Sequence, residues 1–338
     1  MEVTVETFKR QDVPAELLIG PSIRNLYFYT AVDWSVIVLC WYLLMNTTPY
    51  LYPLWIIIVA GRLHSFGVIL HDVSHLNLAN KTFHMRMLEI LTGYVIGTSA
   101  NAMAYHHIRH HRHTLKQNDP YFSINKRCIG VLRFWLTFKK GLFFVPFWIT
   151  RSFVGVLAIF IPQLRTPYAR IFLQDISGKD LSQDAEVITC AKEDIPVACF
   201  HSVLLYLALT KFQFLIYGYY YAIPVAGVFC IYRLLIEHEY NIVKDRSIYT
   251  MIESTFDHHL GFLERILIGP RNIGFHCIHH IHPQVGLHAL PKLRKWYLEN
   301  SLQYQQKYNA PKSWNWRQDL FGGIHHEENY SVPDKFFK

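Results

Sequence analysis

The stretch YHHIRHHRHTLKQNDP, residues Tyr105–Pro120, decides how this chain is read, because it makes sense only with two other histidine groups. These are HDVSH at His71–His75 and HCIHH at His276–His280. Histidines four apart share one helix face, and histidines at i, i+3 and i+4 also converge. The spacings aim His71 and His75, then His107, His110 and His111, then His276, His279 and His280 at one point, eight imidazoles in all. A structural zinc takes four ligands and a catalytic zinc three, so eight imply two metals. Neutral imidazole suits iron, copper, nickel or zinc. No Glu-x-x-His occurs, so the carboxylate-rich ligand pattern of soluble ferritin-like bundles is missing.

Outward from these groups the chain is apolar. Of 338 residues, 51% are hydrophobic, 15% aromatic and only 17% charged, against roughly 25% charged in a soluble domain. That composition reads as an integral membrane protein. The net charge of +8 lacks a dense basic arm interleaved with aromatics, which argues against nucleic acid and for anionic lipid headgroups. Six scattered cysteines form no CxxC pair, so they read as buried thiols. The start has no basic region followed by an apolar one, so no cleavable signal peptide is expected.

The apolar segments predict an all-α membrane fold of two transmembrane hairpins, about four spans, in one domain over residues 1–338. Residues 1–25 form a surface segment and 26–70 the first hairpin, its arms Leu26–Met45 and Pro49–Leu70 long enough to cross a bilayer. Residues 71–194 carry the first two histidine groups. Within them Met87–Ala104 is too polar for a span and is expected to be re-entrant or buried, which puts both groups on one side. Lys116–Arg170 mixes Trp and Phe with Lys and Arg and reads as interfacial; Arg170–Asp194 is the most polar interval and either caps the metal site or is a plain connection. Residues 195–236 form the second hairpin, with arms Ile195–Thr210 and Phe212–Ile236, and deliver Glu237 and His238 to the same face. Residues 237–338 hold the third group and a tail. The turns at residues 46–49 and Lys211 carry almost no basic charge, so the positive-inside rule places the termini and all three groups in the cytoplasm.

HDVSH, HHIRHHRHT followed by NDP, RLLIEH, and GPRNIGFHCIHHIHP with LPKL behind it together resemble the membrane fatty-acid desaturase and hydroxylase superfamily over about residues 30–300. That resemblance implies a cytoplasmic helical cap holding two non-haem irons, ligated almost wholly by histidine. Carried onto this sequence, it makes His71, His75, His107, His110, His111, His276, His279 and His280 ligands, with His238 the ninth. It implies oxidation of an unactivated C–H bond of a lipid acyl chain, with O2 as co-substrate and two electrons.

Nine neutral imidazoles leave two ferrous ions uncompensated, so acidic neighbours should orient the ring N–H groups. Asp72, Asp119, Glu237 and Asp257 are candidates, with Asn272 a weaker one; Asp119 before Pro120 is also an ordinary turn signal. His64, inside the second span, lines a tunnel or pairs between helices. His106 could replace His107, although the register ending at Thr114 favours His107. His113 is expected at the surface or beside the site, His282 beside the site without ligating, and His258, His259, His325 and His326 to face solvent.

The chain carries no cytochrome, flavin or iron–sulfur motif, so electrons are expected from a separate carrier of the ferredoxin or cytochrome b5 type, docked on the basic face. Desaturation is the expected outcome. A hydroxylase or ketolase acting on a lipid or carotenoid is the near alternative, and a non-catalytic membrane metal-binding or transport protein the remote one.

Overall fold

A computed structural model describes residues 9–121, 130–238, 242–257 and 261–308. Among them the structure is helical, with one isolated bridge between His238 and Thr255. Helix α1 (Ile23–Asn46) starts at Ser22, whose hydroxyl accepts from Asn25 N–H, and α2 (Tyr52–Ser74) runs back against it. Both are long and apolar enough to cross a membrane. HDVSH forms the last turns of α2 instead of following the helix, so its imidazoles ride on a rigid element.

Next come a short α3 (Phe83–Leu88), a π-turn at Glu89–Gly93 and a 3-10 turn at Tyr94–Ile96. The chain bends at Gly97, whose φ of +80° lies in the left-handed region, where a side chain would also strike Ile149. Helix α4 (Ala100–His113) then begins on Ser99, whose Oγ accepts from Ala102 N–H, while buried Glu89 accepts from Ala100 N–H. The interval expected to be re-entrant is thus a broken, buried segment that returns the second histidine group to the first.

Helix α5 (Gly130–Phe160) departs from the interfacial reading, because its part Gly141–Phe160 is itself long and apolar enough to span. The reason is Arg151, which is wholly buried against Asp194 at 2.8 Å instead of facing headgroups. After α6 (Arg165–Phe172), helix α7 (Ala185–Thr210) starts ten residues before the expected arm. Charges that made this interval look like a loop are absorbed by partners: Asp194 also accepts from Tyr168 Oη, Glu193 meets Lys81 and Arg86, and Glu186 meets Arg109. Ionisable groups at membrane depth are tolerated when paired in this way.

The last expected arm is interrupted by a π-turn at Ile216–Tyr220, which leaves α8 (Ala222–Ile236) with 15 residues. At 1.5 Å per residue that is about 22 Å, short of the ~30 Å hydrocarbon core. Among the described residues, the four helices that meet the length and hydropathy needed to cross are therefore α1, α2, α5 and α7. Gly141 of α5 and Gly227 of α8 meet with no room for a Cβ on either, so the two backbones cross in close contact.

The C-terminal part is a run of short helices, α9 (Ile248–Ser254), α10 (Phe262–Leu267), α11 (His276–Ile281), α12 (Leu290–Asn300) and α13 (Leu302–Tyr308). They have their own core around Met251, Ile278, Leu290 and Tyr297. The tail carries two helices, α12 and α13, each with one side in this core. A buried ionic group fastens this part to the bundle: Asp33 of α1 accepts from Arg62 of α2 at 2.9 Å and from Arg271 at 2.6 Å. Arg62 also donates to Ile266 O, and His64 Nδ1 donates to Leu267 O at 2.9 Å. His64 therefore pairs with backbone between elements and also lines the internal cavity.

Candidate metal centre

Each histidine group sits where its helix ends. His71 lies in the last turn of α2 with His75 capping it, His107, His110 and His111 lie in the last two turns of α4, His238 follows α8, and His276, His279 and His280 form α11. Because α2, α4 and α8 all run toward one end of the bundle, the imidazoles meet there. One nitrogen from each of His71, His75, His107, His111 and His279 falls in a group within 4.8 Å of one another, and His110, His238 and His280 form a second such group. His276 joins the second through Nε2, 3.1 Å from His238 Nε2.

The spacings suit bound metal. Two nitrogens about 2.0–2.1 Å from one ion, at tetrahedral or right angles, stand about 2.8–3.4 Å apart. Facing Nε2 atoms are 3.1 Å apart for His75 and His107, 2.8 Å for His107 and His111, 3.0 Å for His111 and His279, and 3.2 Å for His238 and His280. Each set of donors thus resembles the edges of a coordination polyhedron.

Burial pushes His107, His111, His276, His279 and His280 well below their usual 6.5, and His238 to about 3. They are neutral at physiological pH, the form that ligates. His110 Nδ1 lies 2.8 Å from Asp119 Oδ1, so a proton held there leaves Nε2 as a lone pair; that atom is buried and has no protein partner. A carboxylate that fixes the tautomer this way is the usual outer support of a metal-bound imidazole. Asp119 also accepts from Leu115 N–H at 2.7 Å and Tyr121 N–H at 2.8 Å, and His110 with these bonds holds its carboxyl below the ordinary value although burial works the other way.

The other acidic candidates divide. Glu237 Oε2 stands 3.4 Å from His276 Nδ1, in reach to orient that ring. Asp72, beside His71, faces Leu287 N–H at 3.4 Å. Asp257 accepts from Cys277 N–H at 2.7 Å and from Tyr304 Oη, and Asn272 donates to Leu287 O at 3.2 Å. The contacts seen for these three brace the backbone around the third histidine group, where ring N–H partners were expected.

Among the histidines left off the ligand set, His106 turns Nδ1 to Tyr121 Oη at 2.6 Å and joins neither cluster. His282 pairs with Tyr297 Oη at 2.8 Å, away from the centre, and His113 is part exposed at the end of α4. His258, His259, His325 and His326 lie outside the described residues.

Sequence reasoning used Thr114 only to set a register. Its hydroxyl donates to His110 O at 2.9 Å and stands 3.2 Å from His280 Nδ1, so it couples the second and third histidine groups. Arg233 was also missed, although its place four residues before Glu237, on the same helix face, was a readable sign.

From the cluster a cavity runs between α2, α4, α5 and α8. Apolar Leu63, Ile96, Met103, Phe144, Val145 and Trp148 form most of its wall, while His71, His107, His110 and His276 stand at its polar end. An apolar cleft with a few convergent polar groups is the usual form of a small-molecule site.

Compared with known proteins, the chain finds no match among curated proteins. A family model described as Fatty acid desaturase matches residues 47–312, from the turn before α2 to just beyond α13 and across every histidine named above as a ligand. The chain belongs to the fatty acid desaturase family, membrane oxidoreductases of the desaturase and hydroxylase type.

Proposed function

We propose that this protein desaturates a lipid acyl chain with O2 at a pair of non-haem irons. His71, His75, His107, His111 and His279 would hold one iron, and His110, His238, His276 and His280 the other. The observation that carries the reading is that members of both imidazole groups, His71 and His107 of one and His110 and His276 of the other, line one mostly apolar cavity. Iron bound there, reduced by an external carrier, supplies the O2 chemistry that breaks an unactivated C–H bond.

The chain's own residues position and insulate. Phe144, Val145 and Trp148 press the acyl chain against α2 and keep water from the reacting methylene. Asp119 fixes His110, and Glu237 is placed to fix His276. In this reading the protein is one domain, residues 1–25 a surface segment, α1 with α2 and α7 with α8 the two hairpins, and the histidine-bearing ends of α2 and α4 together with residues 237–338 the cytoplasmic cap, while Gly141–Phe160 of α5 is a further apolar helix beside them. A ferredoxin or cytochrome b5 type carrier docks on its basic face.

The test is lipid profiling by gas chromatography of a desaturase-free host expressing the wild type, His110→Ala or His279→Ala, with iron measured on each purified protein. A new double bond in the wild type alone, with about two irons per chain, is expected from a two-metal site. A hydroxylated or keto product would keep the centre and replace the reaction. Bound zinc with no lipid product would sink the catalytic reading and leave a metal-binding membrane protein.

A further inference from the structure

One cation in the cavity is not accounted for by the metal centre. Arg233 of α8 lines the cavity with only 7% of its surface exposed. Its Nε and Nη1 are buried and have no hydrogen-bond partner among the described residues. The nearest carboxylate, Glu237, stands 3.5 Å from Nε, which leaves Nη1 unpaired. Tyr121 Oη on the same wall pairs with His106 and His64 Nδ1 with Leu267 O, and although Nε2 of His64 and of His106 also has no partner among the described residues, Arg233 is the charged group of the set. The buried ionic pairs elsewhere differ too, since Arg151 has Asp194, Thr98 and Gly97 O around it. A guanidinium taken out of water is costly unless an acceptor meets it, and its planar fork fits a carboxyl or carbonyl oxygen.

We propose that Arg233 grips the carboxyl-derived oxygen of the acyl substrate inside the cavity, as carboxylate or as ester carbonyl. The inference rests on the acyl-chain reading above and adds an orientation to it. Arg233 lies just over one helical turn before Glu237 and His238, at the ligand end of the cavity. The polar end of the substrate is therefore held beside the metal centre, its tail lies along Phe144, Val145 and Trp148, and oxidation falls in the carboxyl-proximal part of the chain.

The test is direct binding to the iron-loaded protein in nanodiscs without reductant, so that nothing turns over. Radiolabelled octadecanoic acid, methyl octadecanoate and octadecane are compared, with empty discs as background. In the wild type the acid, the ester or both should bind roughly ten- to a hundred-fold more tightly than the alkane, the usual worth of a hydrogen bond to a charged group. Arg233→Met should bring both down to the alkane and leave the alkane unchanged, while Arg233→Lys keeps part of the preference. A preference for the acid over the ester identifies a free carboxylate, and equal binding an esterified chain.

Equal binding of all three probes by the wild type would overturn the assignment. So would an Arg233→Met variant with normal iron content that loses alkane and acid alike, because Arg233 would then only support the fold. A wild type that binds none of the three removes the acyl-chain reading itself, a failure separable from a mere lack of preference.

Discussion

Changing Asp119 to Asn alters one atom of a carboxylate that serves three donors, and its effect can be worked out from their places. Oδ1 faces His110 Nδ1 and Tyr121 N–H, and Oδ2 faces Leu115 N–H at 2.7 Å. An asparagine keeps one oxygen. With that oxygen toward His110, its NH2 opposes Leu115 N–H, donor against donor, at a residue already strained by a φ of +56°. Turned over, its NH2 faces His110 Nδ1, which must then carry the lone pair and present a proton on Nε2, the wrong tautomer for a ligand. Losing a buried charged hydrogen bond costs about 1.5–3 kcal/mol, about ten- to hundred-fold in metal affinity. The assay is iron per chain, by plasma mass spectrometry, across a series of chelator concentrations. Asp119→Asn should release iron at a chelator concentration lower by about that factor. Asp175→Asn is the control, because Asp175 bonds Tyr105 Oη and the Ser177 backbone away from the cluster. Identical release curves for Asp119→Asn and wild type would refute the reasoning and reduce Asp119 to a turn residue.

His107→Ala should lose iron while His106→Ala keeps it, since only His107 stands among the clustered nitrogens; the reverse pattern by metal analysis would shift the register by one residue. Asp194→Leu strands buried Arg151 and should cost about 3–5 kcal/mol, read as a lower thermal midpoint in detergent, and an unchanged midpoint contradicts the pairing. Gly97→Ala, at φ +80° against Ile149, should destabilise by at least about 1–2 kcal/mol in the same assay. Acid should loosen the metal-free protein. The folded state keeps His107, His111, His276, His279 and His280 neutral well below 6.5, so the unfolded chain takes up protons first. Stability is then full above pH 6.5 and falls as pH drops below it; a thermal midpoint flat from pH 7 to 5 would contradict this.

The ligand end of the molecule was legible because histidine spacing on a helix is a local property that survives any packing. HDVSH and HCIHH needed only the 3.6-residue period to read. What escaped the sequence depends on distant partners. Arg151 made α5 look interfacial until Asp194, 43 positions away, neutralised it. Glu186, Glu193 and Asp194 made the start of α7 look like a loop for the same reason, as each of their cations lies on another element. Asp72, Asp257 and Asn272 shared the composition of ring-orienting residues, yet nothing in composition separates a carboxylate that holds an imidazole from one that caps a peptide N–H. Thr114 was overlooked because it is ordinary on its own helix and gains meaning only from His280 facing it.

On the proposed two-iron reading, the division of ligands along the chain sets an order of assembly. His71, His75, His107 and His111 all lie within 41 consecutive residues, on α2 and α4, and only His279 comes from afar. Once these two helices have packed, a growing polypeptide already owns a nearly complete first site. The second site has only His110 from that half and waits for His238, His276 and His280, which come far later in the sequence. Metal can thus enter in two stages, the first during translation and the second as a late clasp between the halves of the finished protein. A chain truncated before residue 238 is left half-furnished.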